Sequence, residues 1–164
     1  MGMNLGDRDR EEYLGRALRA ADWFVNSQLA MNGHSFDADR GRFLYYYYMP
    51  EKKHVPGINW THGRALFVLA EAYHLTGEER YLISAVAGAR YVEALQIMDP
   101  HYSEVLGAIK ERIPQGDYCG ILDGAQAASG LLLMEKATGR EDYLRRGRAF
   151  CDFLLRHFTP EKGL

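Results

Sequence analysis

Residues 76–82 read TGEERYL, and residues 138–144 repeat that pattern as TGREDYL, 62 positions later. The match extends upstream, where residues 64–69 align with residues 126–131. A weaker third copy begins with the tyrosine-leucine pair of DREEYL in residues 9–14, at an offset of 68. Self-similarity at a period of about 60 residues indicates a chain that is built from one repeated supersecondary unit.

Hydrophobic periodicity assigns both halves of each repeat to helices. In residues 78–96 the apolar side chains recur at three-to-four spacing and the charged ones lie opposite, which is typical of a helix that buries one face. Residues 62–75 and 125–137 are apolar around almost the whole axis, so they are expected to be buried on most sides. Gly77 and Gly139 stand where a left-handed helix end favours glycine. The pattern predicts αα-hairpins, with helices over residues 10–29, 62–75, 78–96, 125–137 and 140–157.

Composition excludes several classes of protein. The chain has 164 residues and 47% hydrophobic composition, which is ordinary for one globular domain. Each half carries 10 basic and 11 acidic side chains, so no basic stripe is present and we expect no nucleic-acid partner. Apolar runs are far shorter than the roughly 20 residues that span a bilayer, so we expect no membrane partner. Two cysteines and the lack of an export signal predict a cytoplasmic protein.

Two longer connections separate the hairpins, and loops on a helical scaffold commonly carry function. Residues 30–58 include RFLYYYYMP, which alternates like a short strand, with Phe43, Tyr45 and Tyr47 predicted on one side. Residues 98–122 are predicted to contain a short helix that ends before Pro114.

The hairpin pattern resembles the (α/α) toroid proteins of the six-hairpin glycosidase superfamily, which includes glycoside hydrolases, polysaccharide lyases and sugar epimerases. The likeness is carried by residues 63–92, residues 123–155 and the partial copy in residues 10–25, which together cover about half of the chain. The resemblance implies an all-α fold of αα-hairpin repeats that form an arc of an (α/α) toroid. A complete toroid has six hairpins, so residues 1–164 are expected to be a single repeat domain that is a fragment or a partial toroid. The resemblance also implies self-association or a missing remainder of the chain.

The resemblance further implies a substrate cleft lined by the loops that lead into the buried helices. In the second loop Asp117 and Asp123 are six residues apart, with Tyr118 between them. Members of the superfamily hold a carboxylate at the position of Asp123, as a general acid, a general base or a substrate-binding group. Aspartate is also a favoured N-cap, so the sequence leaves catalysis and capping open for Asp123.

Aromatic and imidazole side chains extend the candidate site. Trp60 and Tyr118 offer rings that stack on sugars, and His62 offers proton transfer or hydroxyl binding. Tyr46 and Tyr48 fall on one alternating face and suggest a carbohydrate platform. Structural roles stay open for all of them: Trp60 packing over the hairpin end, His62 hydrogen-bonded in the interior, and the tyrosines covering the repeats.

The predicted function is that of a carbohydrate-active protein, similar to glycoside hydrolases, that acts on or binds a glycan or oligosaccharide. The alternative is a noncatalytic helical-repeat module that binds a protein or peptide. The sequence contains no metal-ligand spacing, nucleotide-binding loop or serine-hydrolase motif. We therefore expect neither a metal nor a cofactor.

Overall fold

The computed structural model describes residues 6–28, 39–112 and 118–157. Within these ranges the chain is mostly helical, with one small two-stranded sheet, which confirms the predicted helical class. No helix among the described residues combines the length and the apolar character that crossing a bilayer requires. The elements are α1 (Asp7–Ser27), β1 (Leu44–Tyr48), β2 (Lys53–Pro56), α2 (Asn59–Thr76), α3 (Glu79–Leu95), a 3-10 helix (Pro100–Val105), α4 (Ile121–Thr138) and α5 (Glu141–His157).

The two buried helices begin earlier than the sequence predicts. Helix α2 starts at residue 59 instead of 62, and α4 at residue 121 instead of 125. The residues that precede them, Ile58 and Gly120, have extended backbone angles and provide no side-chain cap. Asp123 therefore lies inside the first turn of α4 and is not its N-cap, so the capping alternative for this residue is wrong.

The turn between α2 and α3 and the turn between α4 and α5 are closed by the same set of hydrogen bonds. Gly77 and Gly139 have φ values of 71° and 69°, and each N–H donates to the carbonyl four residues earlier. The hydroxyls of Thr76 and Thr138 also donate to carbonyls four residues earlier, and they accept from the N–H two residues later. A left-handed residue closed by these bonds ends the helix and reverses the chain.

The helices pack in two layers around one core. Helices α2 and α4 lie directly against each other, α3 packs on α2, α5 packs on α4, and α1 contacts α2 and α3. Gly63 near the start of α2 lies against Gln126 near the start of α4, so both helices begin on the same side of the molecule. The largest wholly buried apolar side chains are Phe43, Leu66, Leu69, Tyr81, Ile109, Leu131, Met134 and Tyr143.

A pair of glutamines, which sequence reasoning did not single out, fastens the long connections to α3 and α5. The Nε2 of Gln28 donates to the carbonyls of Gly41 and Ser84, at 2.9 and 3.0 Å. The Nε2 of Gln96 makes the same bonds one repeat later, to the carbonyls of Gly107 and Arg146 at 3.0 and 2.9 Å. Gln28 thus joins the loop at Gly41 to α3, and Gln96 joins the loop at Gly107 to α5.

Replacing Gln96 with leucine is expected to lower the free energy of unfolding by about 2–4 kcal/mol, because two carbonyls lose their donor. Chemical denaturation measures the change. Lys136→Leu, at an exposed position of α4, controls for the added apolar side chain. A loss for Gln96→Leu no larger than for the control would contradict the role of the glutamine.

The strand in the first connection forms, but its predicted alternation is wrong. Strand β1 pairs antiparallel with β2, and the register shifts between Leu44 and Tyr46. Phe43 and Leu44 are both buried, whereas the four tyrosines that follow are all 41–47% exposed. The irregular register breaks the period-2 pattern of side chains. In the second connection, the predicted short helix is a 3-10 helix that ends at Val105.

Candidate functional site

The starts of α2 and α4 form a shared rim, and both carry residues that the sequence predicts for the site. Trp60 is the second residue of α2 and is 36% exposed. Asp123 is the third residue of α4 and is partly exposed. The first turn of α4 has no side-chain cap, so its free amides lie beside this carboxylate. The rim therefore combines an aromatic face with an acidic group.

Tyrosines of the β-hairpin extend the aromatic face. The ring centroid of Tyr45 lies 6.1 Å from that of Trp60 and 5.0 Å from that of Tyr46, both in edge-to-face geometry. Tyr48 pairs with Lys53 beside the hairpin turn, at the end of the strand away from α2. Tyr45 thus contacts both Tyr46 and Trp60 and connects them, whereas Tyr48 lies away from these three rings. Tyr45 was not among the predicted site residues.

Tyr118 and Asp123 meet at Gly120. A Cβ on Gly120 would lie 3.2 Å from Asp123 Oδ2 and 3.3 Å from Tyr118 Cε2, so both side chains close over this glycine. The Tyr118 ring is 49% exposed. Asp117, the other predicted carboxylate of this loop, lies outside the described residues.

His62 is inside the protein and is engaged on both ring nitrogens. Its Nε2 accepts from the Phe43 N–H at 3.1 Å, and its Nδ1 lies 2.8 Å from the Ile58 carbonyl, to which the neutral ring donates. The ring stacks on Tyr91 with centroids 4.6 Å apart. Burial lowers the pKa of His62 to about 4, and Arg42 adds to the effect, while the Ile58 bond opposes it. No ring nitrogen is free for proton transfer, so this geometry gives His62 the interior role.

Thr61 is also buried, although its repeat position matches that of Asp123. Its side chain is 4% exposed and packs toward Gly57, where an added Cβ would lie 2.9 Å from the threonine Cβ and Cγ2. Of these two equivalent positions, only that of Asp123 therefore reaches the surface.

Glu111 is a carboxylate of the site that the sequence analysis missed. It is 1% exposed, and both of its carboxylate oxygens lie 3.3 Å from the Asn59 N–H at the start of α2. Its own N–H donates to the Tyr118 carbonyl at 2.8 Å. Glu111 thus joins the start of α2 to the segment that leads into α4, and it occupies an amide that a bound anion would otherwise use.

The charge state of Glu111 depends on its neighbours. Burial raises the pKa of its carboxyl, the bond from Asn59 opposes the shift, Asp123 raises the pKa further and Arg42 lowers it. The influence of Asp123 places two carboxylates in one electrostatic environment at the rim, one buried and one partly exposed.

Arg42 links three segments of the chain on the buried side of the site. Its Nε donates to the Gly57 carbonyl and its Nη2 to the Arg112 carbonyl, both at 3.0 Å. Its Nη1 lies 3.2 Å from Asp39, and its guanidinium lies 5.6 Å from the Tyr91 ring centroid. Since the side chain is only 8% exposed, these bonds fix the loop before β1 against the segments on either side of the rim.

No cluster of three or more metal-ligating side chains is found in the described parts of the chain. Comparison with known proteins identifies no relative: no protein-family model, curated protein or solved structure matches this chain. The site must therefore be interpreted from its own residues.

Proposed function

We propose that this chain is a carbohydrate-active protein whose helices form an arc of an (α/α) toroid of the six-hairpin glycosidase type. Its site for a glycan is the rim where α2 and α4 begin. The observation that carries the proposal is the combination of Asp123 with a buried second carboxylate and exposed aromatic rings on that rim. Sugar-binding sites need both polar hydrogen-bonding groups and flat apolar rings.

The aromatic rings supply the surface on which a sugar ring can stack. Trp60, Tyr45 and Tyr46 form a continuous edge-to-face series on the α2 side, and Tyr118 stands beside Asp123 on the α4 side. A glycan that lies across the rim contacts both sets. Arg64, whose guanidinium is 6.0 Å from the Trp60 ring centroid, adds a positive charge next to this surface.

Asp123 is the group that contacts the substrate in this proposal, as a proton donor or acceptor or as a hydrogen-bond acceptor for hydroxyls. Glu111 is too buried to reach a sugar and acts as a positioning residue, because it fixes the start of α2 against the segment at Tyr118. The nearby charge of Asp123 contributes to the raised pKa of the Glu111 carboxyl.

The test is Asp123→Asn against a panel of neutral and uronic-acid-containing oligosaccharides. We expect wild type to bind or turn over at least one of them. If Asp123 transfers a proton, the variant loses about 10²–10⁴-fold in kcat. If it only binds hydroxyls, the affinity falls about tenfold with no change in fold. Calorimetry and product chromatography measure the two effects.

Glu141→Gln is the matched control, because Glu141 is an exposed carboxylate in the first turn of a different helix, α5. It should leave binding and turnover unchanged. If Asp123→Asn behaves like Glu141→Gln over the whole panel, or if wild type binds no oligosaccharide in it, the proposal fails. Binding of proteins or peptides without glycan binding would support the noncatalytic helical-repeat alternative.

A further inference from the structure

Arg64 is the one lysine or arginine in the first three turns of α2 and α4. The other lysine or arginine of these two helices is Lys136, which lies in the last turn of α4, far from the rim. The side chain of Arg64 is exposed, and a guanidinium stays protonated in proteins. Helices α2 and α4 thus contribute a single permanent positive charge near the rim.

The guanidinium of Arg64 lies beside the aromatic surface and is not neutralised there. It is 6.0 Å from the Trp60 ring centroid, at the outer limit of a cation–π contact. Within residues 6–28, 39–112 and 118–157, no carboxylate forms an ion pair with it, and this includes Asp123. Arg42 and Arg146, in contrast, each pair with an aspartate. The charge of Arg64 is therefore available to a bound ligand.

The exposed negative charge of the rim lies on its other side. Asp123 belongs to α4 and is partly exposed. Glu111, at the start of α2, is 1% exposed, and burial raises the pKa of its carboxyl, which favours the neutral form. An anionic group on a ligand is therefore attracted to the α2 side of the rim and repelled from the α4 side.

An arginine next to an exposed indole suits a sugar that carries an anionic group. The indole of Trp60 offers an apolar face on which the sugar ring can stack. The guanidinium can donate two parallel hydrogen bonds to the oxygens of a carboxylate or a sulfate, and such charge-assisted bonds are stronger than neutral ones. A sugar that carries only hydroxyls gains no such pair of bonds, so its interaction with Arg64 is weaker.

We propose that the glycan of this site carries a carboxylate or sulfate group, which binds Arg64 while the sugar unit that bears it stacks on Trp60. Asp123 then contacts the neighbouring unit of the glycan. The anionic unit lies on the α2 side, so the glycan crosses the rim in one direction. This substrate class rests on the proposed function, because it requires the rim to bind a glycan.

Carboxyl reduction provides matched ligands, because it converts each carboxylate of a uronic-acid-containing oligosaccharide to a primary alcohol. Wild type is expected to bind the anionic form at least about tenfold more tightly than the reduced form. Arg64→Gln should lower the affinity for the anionic form by at least about tenfold and leave the affinity for the reduced form unchanged. Calorimetry measures both forms. Sulfated oligosaccharides are measured separately, which distinguishes sulfate from carboxylate as the anionic group.

Arg90→Gln is the matched control, because Arg90 is an exposed arginine of α3 and its replacement changes the net charge equally. It should keep the wild-type preference for the anionic form. Raising the salt concentration should weaken anionic binding more in wild type than in Arg64→Gln, since salt screens exposed charges. Circular dichroism checks that each variant is folded.

Four results would count against the anionic substrate class, and they differ in what they leave standing. Wild type that binds neutral forms as tightly as anionic ones overturns this class and leaves the glycan site intact. Arg64→Gln with the wild-type preference shows that another cation binds the anionic group. An equal loss for anionic and reduced forms shows that Arg64 only supports the Trp60 ring. Wild type that binds no oligosaccharide overturns the proposed function as well.

Discussion

Acidification from pH 6.5 to about 4 is expected to remove about 3 kcal/mol of folding stability through the single side chain of His62. In the folded protein its pKa is about 4, against 6.5 for an ordinary histidine, chiefly because the ring is wholly buried. A protonated ring would also turn an N–H toward the Phe43 N–H, whose hydrogen bond it now accepts.

The direction of the effect follows from the sign of the shift. A folded-state pKa below the unfolded one means that the unfolded chain binds the proton first as pH falls. The stabilisation from neutral His62 is therefore complete above pH 6.5 and is lost as the pH falls toward 4. Glu111 has the opposite dependence, since its raised pKa makes the folded protein prefer the protonated carboxyl. The pH dependence of the total folding stability therefore contains contributions from both His62 and Glu111.

A difference measurement isolates His62. Urea denaturation of wild type and His62→Gln at several pH values between 4 and 8 gives two curves, and their separation should shrink by about 3 kcal/mol toward the acid end. His101→Gln, whose ring is exposed and lies against Asp99, is the matched control. Parallel curves for wild type and His62→Gln would show that this ring does not titrate as its burial requires.

The long helices and the turns after α2 and α4 were predictable because they depend on local chemistry. Apolar periodicity located all five long helices. The threonine-glycine pairs at residues 76–77 and 138–139 located the turn between α2 and α3 and the turn between α4 and α5. Helix starts were less predictable. At Ile58 and Gly120 an extended backbone begins the helix with no side-chain cap, so the usual N-terminal signal is missing and α2 and α4 begin three or four residues early.

Long-range polar contacts could not be predicted in the same way. Gln96 stands at the very end of a periodic segment and Glu111 in a segment with no periodic pattern, and their partners are 11–52 residues away in the chain. Only the folded arrangement brings the Glu111 carboxylate to the Asn59 amide. The repeat offset provides one signal that could have been used: Gln28 and Gln96 are 68 residues apart, the offset of the weak third copy.

The same distinction between local effects and long-range contacts applies to the residues of the candidate site. Trp60, Tyr118 and Asp123 lie on the rim because they belong to the segments that lead into or begin the buried helices, which is a local property. His62 follows Trp60 by two residues and so leaves the opposite side of the helix, where Phe43 and Tyr91 enclose it. Proximity in sequence to a functional residue therefore says little about side-chain exposure on a helix.

Gly63→Ala is expected to lower the free energy of unfolding by about 3 kcal/mol or more, because the backbones of α2 and α4 leave no room for a side chain at this residue. A Cβ on Gly63 would lie 2.1 Å from the Gln126 carbonyl oxygen and 2.4 Å from its carbon. Both atoms belong to the backbone of α4, so no side chain can turn aside. The helices must separate, and the core between them opens.

Gly15→Ala is the matched control, since Gly15 is also inside a helix but its added Cβ would meet only the flexible end of Arg19, at 3.8 Å. Alanine there should stabilise the protein by about 0.5–1 kcal/mol through helix propensity alone. Thermal unfolding should then move in opposite directions, with Tm falling by about 6–12 °C for Gly63→Ala and rising by about 1–4 °C for Gly15→Ala. A Gly63→Ala protein as stable as wild type would mean that α2 and α4 do not touch at this glycine, and the shared rim at their starts would lose its geometric basis.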